Sequence, residues 1–200
     1  METSNAREEI RTYVPGASSG VEPLIAVFEQ IAKQEKWLPG DQLRAHAGRS
    51  AYFAIEVEHS VRGGIQLELD DGSGFWSFQY VWPQSKPICD AKTAHIAVLA
   101  LVPEVRGRQR LFWMPCLEMW RYCRKHGLKD LWLEATPSIL AVYRRIGWPL
   151  EIVGDIATHW GEECYLCRMG VDEVEAALVR RAEHSRMYSE LVTWAHRPED

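Results

Sequence analysis

The chain has 200 residues and a mass of 23.0 kDa, about the size of one domain. With 46% hydrophobic and 26% charged residues it fits neither a disordered chain, a collagen-like repeat nor a bare disulfide scaffold. Lys and Arg number 23 against 28 Asp and Glu, a formal charge of −5, which argues against general nucleic-acid binding.

Taken in chain order, METSNAREEIRTY carries no basic n-region and no apolar h-region, so no signal peptide is expected. Residues 1–20, with their PGASSG stretch, read as a loose N-terminal arm. Residues 21–36 place Leu24, Ile25, Phe28 and Ile31 at helical spacing before Pro39-Gly40. Residues 52–57 and 64–69 read as strands joined by a turn over 59–63. Asp70–Gly74 is a second turn, and 75–82 is a strand or an aromatic loop. Residues 94–102 are the clearest apolar strand, ended by Pro103. The run HIAVLALV is far shorter than the roughly 20 residues of a membrane span, so the cytoplasm is the expected location. A basic loop over 106–110 leads into a helix over 112–125, with Pro115 in its first turn. Residues 131–135 form a short buried strand, and 137–146 a helix started by Thr136-Pro137 and stopped by Gly147. Two closing strands, 151–156 and 164–171, precede one amphipathic helix over 172–194. The expected domain is 21–171, with 172–200 packed on it or extending it. The expected class is α/β (α+β) with a mixed sheet.

The five Cys, at positions 89, 116, 123, 164 and 167, suit reduced thiols. Cys164-x-x-Cys167 has no second CxxC and no His pair at ligand spacing, so it reads as packing thiols, with no metal expected. Cys116 and Cys123 have no evident paired base, which argues against a cysteine nucleophile. Nine Trp, seven Tyr and five Phe imply a large core, an aromatic-lined pocket or both.

The strand, arginine loop and helix start over 94–112 would make an anion site, because free backbone amides and the positive helix end converge there. Arg106, Gly107, Arg108, Gln109 and Arg110 form the loop. Arginines offer planar, bidentate contacts to phosphate. The competing reading is a solvated loop whose arginines pair with acidic neighbours.

Four stretches resemble the GCN5-related N-acetyltransferase superfamily in the right order. YFAIEVEHSVRGGIQLEL resembles its second and third strands, and HIAVLALVPEVRGRQR its fourth strand and pyrophosphate loop. LWLEAT is similar to its fifth strand, and SILAVYRRIGW to the helix that follows. YRRIGWPLEIVGD with HWGEECYLCRMGVDEVEAAL is further similar to the C-terminal half of acyl-homoserine-lactone synthases and N-acyl amino acid synthases. The acidic cluster on the S-adenosylmethionine side of the lactone synthases is missing, as is their Glu-x-Ser-Arg run. Arg106 takes the first position of the family loop, but Gln109 and Leu111 stand where small residues are usual. Side chains there crowd the approach of phosphate to the backbone.

The resemblance implies a mostly antiparallel mixed sheet with splayed fourth and fifth strands and helices on both faces. It implies a thioester donor, either acyl-CoA (acetyl-CoA or longer) or the phosphopantetheine of an acyl carrier protein. The acceptor is a small-molecule amine, and a homodimer is compatible with the pattern. Backbone groups near Leu101 and Val102 would bind pantetheine as an added strand. Tyr143 matches the family's general acid, the competing reading being a packed helix tyrosine. His95, which titrates near neutrality, is a candidate base against a surface or packed histidine. Glu134 is a candidate for binding the amine. Residues 159–162 (HWGE) could close the acceptor pocket. Trp76, Tyr80, Trp82, Trp113 and Trp120 are candidate pocket walls, at least three of them expected to be core. The rival functions are a non-catalytic acyl-CoA or acyl-carrier binding module, a lactone-synthase-like enzyme, and an interaction domain with an exposed aromatic surface.

Overall fold

The aliphatic runs of the sequence become the inner strands of a seven-stranded mixed sheet in the computed structural model, which describes residues 7–16, 20–37, 42–85 and 92–197. The hydrogen-bonded order is β1-β2-β3-β4-β5-β7-β6. The chain divides into two compact units, Met1–Glu68 with Ala97–Met119, and Leu69–Ile96 with Trp120–Asp200. No helix among the described residues is long and apolar enough to cross a membrane.

In the first unit β2 (Ser50–Val57) lies between β1 (Glu8–Tyr13) and β3 (Ser60–Leu69), antiparallel to both. Every residue of β2 is buried, so both faces of this antiparallel strand are covered. The expected loose arm is thus corrected: Glu8–Tyr13 is a strand in register with Val57–Tyr52. Its three charges, Glu8, Glu9 and Arg11, hide it in sequence, and such charges suit an outer strand, where they discourage pairing with another chain. Arg11 reaches Glu56 at 3.0 Å.

The β2–β3 turn is also tighter than expected, only Glu58-His59, both with positive φ (51° and 63°). That is the backbone of a two-residue hairpin turn. A bulge follows, so that Ile55 faces Gly63 and Glu56 faces Val61. Gly63 and Gly64 have φ of 132° and 156°. A Cβ on Gly63 would lie 2.2 Å from Ala100 O, and one on Gly64 2.1 Å from Phe53 O. The backbones approach too closely there for any side chain.

Helix α1 (Glu22–Glu35) buries Leu24, Ile25, Phe28, Ile31 and Ala32, the expected stripe, and ends at left-handed Lys36. Helix α2 (Gln42–Ala45) follows.

In the second unit, residues 76–80 form helix α3 (Trp76–Tyr80), not a strand. Aromatics favour strands in general, but Phe75, Phe78 and Trp82 fall at i, i+3 and i+7, and all three are buried while Tyr80 is exposed. β4 (Thr93–Leu101) and β5 (Asp130–Ala135) run parallel. Their register pairs are Thr93–Asp130, Ala94–Leu131 and His95–Trp132, and the ladder stops there, although β4 continues to Leu101 and β5 to Ala135. β5 then pairs antiparallel with β7 (Glu162–Gly170), and β7 with β6 (Glu151–His159). Trp160 and Gly161, both at positive φ, close that hairpin.

Helix α4 (Gln109–Lys125) begins three residues before the expected start. Pro115 therefore lies inside it rather than in its first turn, at the cost of one helical hydrogen bond. Helix α5 (Pro137–Ile146) is bounded as expected, with Thr136 Oγ1 accepting from Ile139 N at 3.3 Å and left-handed Gly147 at the end. The expected single C-terminal helix is two, α6 (Val171–Ala182) and α7 (Arg186–Ala195). Ser185, at φ −148° and ψ 118°, breaks the run and starts the second.

Candidate functional site

The arginine loop belongs to the first unit. After β4, Val102 N donates to Arg62 O, and Val102 O accepts from Val105 N. A single 3₁₀ turn over Pro103–Val105 leads to Gly107 at φ 85° and then to α4. The first helical bond runs from Phe112 N to Arg108 O at 3.3 Å. The amides of Gln109, Arg110 and Leu111 thus occupy a helix start, where the backbone itself offers no acceptor.

The arginines are exposed, and each has a carboxylate partner. Arg106 Nη2 lies 2.8 Å from Glu35 Oε1, and its Nε donates to Leu101 O at 2.9 Å. Arg108 pairs with Glu8 Oε1, and Arg110 Nε lies 3.4 Å from Glu8 Oε2. Glu8 is only 11% exposed in its side chain and faces two guanidinium groups at once. A donor phosphate at this helix start would compete with Glu8 and Glu35. The Arg106–Glu35 pair is exposed on both sides and cheap to exchange, whereas Glu8 would be left largely out of water without its two partners.

The titratable cluster belongs to the second unit. Trp132 and Glu134 alternate onto one face of β5, and His95 is the register partner of Trp132. His95 Nε2 and Glu134 Oε2 are 2.8 Å apart, each side chain only 7% exposed. The two candidate residues of the sequence are therefore one buried pair, at the point where β4 and β5 stop pairing.

Burial by itself would raise the Glu134 carboxyl. The charge of His95 and its hydrogen bond, then His159 and Ser77, outweigh burial and hold the carboxyl well below the usual carboxylate range. His159 is pushed down, first by burial, with Glu134 pulling the other way and His95 adding to the fall. Ser77, on α3, and His159, at the end of β6, were not read as partners of the pair. Ser77 is 2% exposed. Its hydroxyl is set against the Glu134 carboxylate.

Rings enclose this cluster. Phe78 sits edge-on to Trp132 with centroids 5.2 Å apart and to His95 at 5.7 Å. Phe75 contacts His95 at 5.4 Å, and Trp82 lies 5.8 Å from the His159 ring. Trp82 Nε1 donates to Asp155 O at 2.7 Å, fixing the indole. Cys164 and Leu166 complete the buried group. The i, i+3, i+7 spacing of the aromatics was the one signal in sequence that could have placed Ser77 here.

The remaining candidates fall elsewhere. Tyr143 is buried and stacks on Trp148 at 4.5 Å. Trp113 and Trp120 are buried, the latter donating from Nε1 to Val171 O at 3.0 Å. With Trp82 they make three core rings, as expected. Tyr80 is 68% exposed. The side chain of Trp76 and residue Cys89 lie outside the described residues. Cys116, Cys123, Cys164 and Cys167 are buried thiols, all with pKa values raised chiefly by burial, the last to about 11. Among the described residues no group of three His, Cys, Asp or Glu is arranged to hold a metal ion.

No family model and no curated protein matches the sequence. Solved structures do match. FeeM, an N-acyl amino acid synthase from uncultured soil microbes, superposes with a TM-score of 0.71 at 13% identity, over 90% of this chain and 99% of that one. BjaI, a CoA-dependent acyl-homoserine lactone synthase solved with SAM and isopentyl-CoA, gives 0.71 at 12% identity, over 96% and 92%. The acyl-homoserine lactone synthase LasI gives 0.68 at 13% identity, over 86% and 94%. The fold is the one that the sequence resemblance implied, and at these identities the likeness is one of fold.

Proposed function

We propose that this chain is an N-acyltransferase. It would move an acyl group from an acyl-CoA or acyl-carrier-protein thioester to the amine of a small molecule. The observation that carries the reading is the His95–Glu134 pair, 2.8 Å apart and buried among rings where two parallel strands part company.

In the reaction the amine nitrogen attacks the thioester carbonyl, forming the C–N bond. The C–S bond breaks, and the thiol leaves with one proton while the amine loses one. His95 takes the amine proton. The charged form of His95 that holds Glu134 down must first give up its Nδ1 proton; with Nε2–H still donating to Glu134, the neutral imidazole then carries its basic lone pair on Nδ1. The carboxylate then stabilises the imidazolium that forms. Tyr143 supplies the thiol proton, a phenol being close to a thiol in acidity. Arg106, Gly107, Arg108, Gln109 and Arg110 take the donor phosphate after exchange with Glu8 and Glu35. The backbone at Leu101 and Val102 lines the pantetheine. Direct attack needs no cysteine nucleophile, which fits four buried thiols of raised pKa.

Incubation with acyl-CoA and acyl-carrier donors of varied chain length, with amines as acceptors, tests the reading through thiol release. Turnover is expected, falling about 10²–10⁴-fold in His95→Gln and falling in Tyr143→Phe. Absence of turnover across the panel would overturn it. A non-catalytic donor-binding module is the second reading, favoured by the pairing of all three loop arginines with the chain's own carboxylates. It predicts donor binding with no rate that depends on Tyr143.

A further inference from the structure

Helix α5 ends in a motif that reaches back to its own tyrosine. Gly147 N donates to Arg144 O at 3.1 Å, and Trp148 N to Tyr143 O at 3.0 Å. With left-handed Gly147 these two bonds make a Schellman ending, in which the residue after the glycine commonly packs on the one its amide reaches. Here that contact is the Tyr143–Trp148 stack, with centroids 4.5 Å apart and planes inclined by 22°. The orientation of the Tyr143 ring is thus tied to the geometry of one helix end.

The C-terminal helices hold that end. As a helix-end carbonyl, Ile146 O has no helical partner, and Tyr188 of α7 donates its hydroxyl to it at 2.7 Å. Arg181 of α6 lies over the Tyr188 ring at 5.3 Å. It also fills the space beside Gly147, where a Cβ would come within 2.0 Å of the arginine Nε. A cation there suits the negative end of the helix dipole. Tyr188 is buried. Packing alone does not call for its hydroxyl, because a phenylalanine would fill the same space with no polar group to satisfy.

We propose that Tyr188 and Arg181 are positioning residues for Tyr143. They clamp the last turn of α5, and through Trp148 they fix the phenol that protonates the departing sulfur. This rests on the acyltransferase reading, with Tyr143 as its acid. In that step the phenol O–H bond breaks as the S–H bond forms, and the phenolate regains its proton from water. The pair α6–α7 thereby serves the chemistry as well as the packing.

A double-mutant cycle tests the proposal. Tyr188→Phe removes one oxygen and keeps the ring. With acyl-CoA as donor, kcat is expected to fall about 10-fold, since small misplacements of a reacting group are costly, while the donor KM stays unchanged. In a Tyr143→Phe background the same change should have no further effect, because no phenol is left to position. A donor whose leaving group is a nitrothiophenol, which departs readily without a proton, should be indifferent to both changes. Arg181→Gln should reproduce the pattern in weaker form, and it keeps the test open if Tyr188→Phe folds poorly. Losses that add in the cycle, an equal loss with the nitrothiophenol ester, or no loss from either variant would each overturn the proposal. NMR of ring-labelled tyrosine separates the clamp from the reading it rests on. The Tyr143 signal, identified by its absence in Tyr143→Phe, is shifted by the stacked indole, and Tyr188→Phe should move it. An unmoved signal overturns the clamp whatever the rates. A moved signal with no thiol release from any donor keeps the clamp and removes the acyl transfer.

Discussion

The arginine loop and the His95–Glu134 cluster are both charged, and they are built on opposite terms. In the loop, three guanidinium groups stand at the surface and are answered by Glu8 and Glu35. In the cluster, one carboxylate and one imidazole are withdrawn from water and hold each other. Exposed pairs are weak and exchange readily. Buried pairs are expensive to form and more expensive to break. Arg106 is thus suited to trading one anion for another, Arg108 and Arg110 are held by a half-withdrawn Glu8, and the cluster keeps a fixed geometry.

The largest expected effect tests the buried side. His95→Leu strips Glu134 of its counter-charge and should cost about 3–5 kcal/mol of stability, read by urea denaturation. A loss below about 1 kcal/mol would place the pair with ordinary surface bridges. Next comes the acid limb. His159 is depressed in the folded chain, so the unfolded chain binds its proton first as pH falls below about 6.5. Stability should therefore decline on acidification there, and His159→Gln should flatten that decline. Glu134 is also depressed, so its contribution is present above the ordinary carboxylate range, is lost progressively as the unfolded carboxyl protonates, and is gone once the folded one does. The exposed side predicts a gain. Glu8→Gln releases Arg108 and Arg110, so coenzyme A should bind a few-fold more tightly at low salt, with the advantage shrinking as salt rises. Smallest of all, Arg108→Ala should cost less than about 1 kcal/mol of stability, read by urea denaturation.

Legibility in the sequence followed the range of the determining contacts. Helix α5 is bounded by neighbours in sequence, Thr136, Pro137 and Gly147, and was readable to the residue. The loop's arginines were equally plain, but the carboxylate that answers Arg108 lies 100 residues away on a strand that read as a loose arm. His95 and Glu134 were each visible as candidates, whereas their pairing across 39 residues exists only through the β4–β5 register. Ser77 carries no signal of its own, since a serine between aromatics looks like any polar gap in a helix stripe, and only the spacing of the aromatics around it could place it. Residues 75–82 read as a strand or an aromatic loop because so short an aromatic run has no clear period, and only the burial of Phe75, Phe78 and Trp82 shows the helical one.

The adjacent glycines of β3 have a bearing on how this chain can drift. Carbonyl oxygens from two different strands press on Gly63 and Gly64. A saturation library across residues 60–69 would thus show two neighbouring columns that admit no substitute, flanked by positions that tolerate aliphatic exchange. Relatives too distant to align by overall identity would still be recognisable by that doublet, because losing it means rebuilding the crossing of the strands.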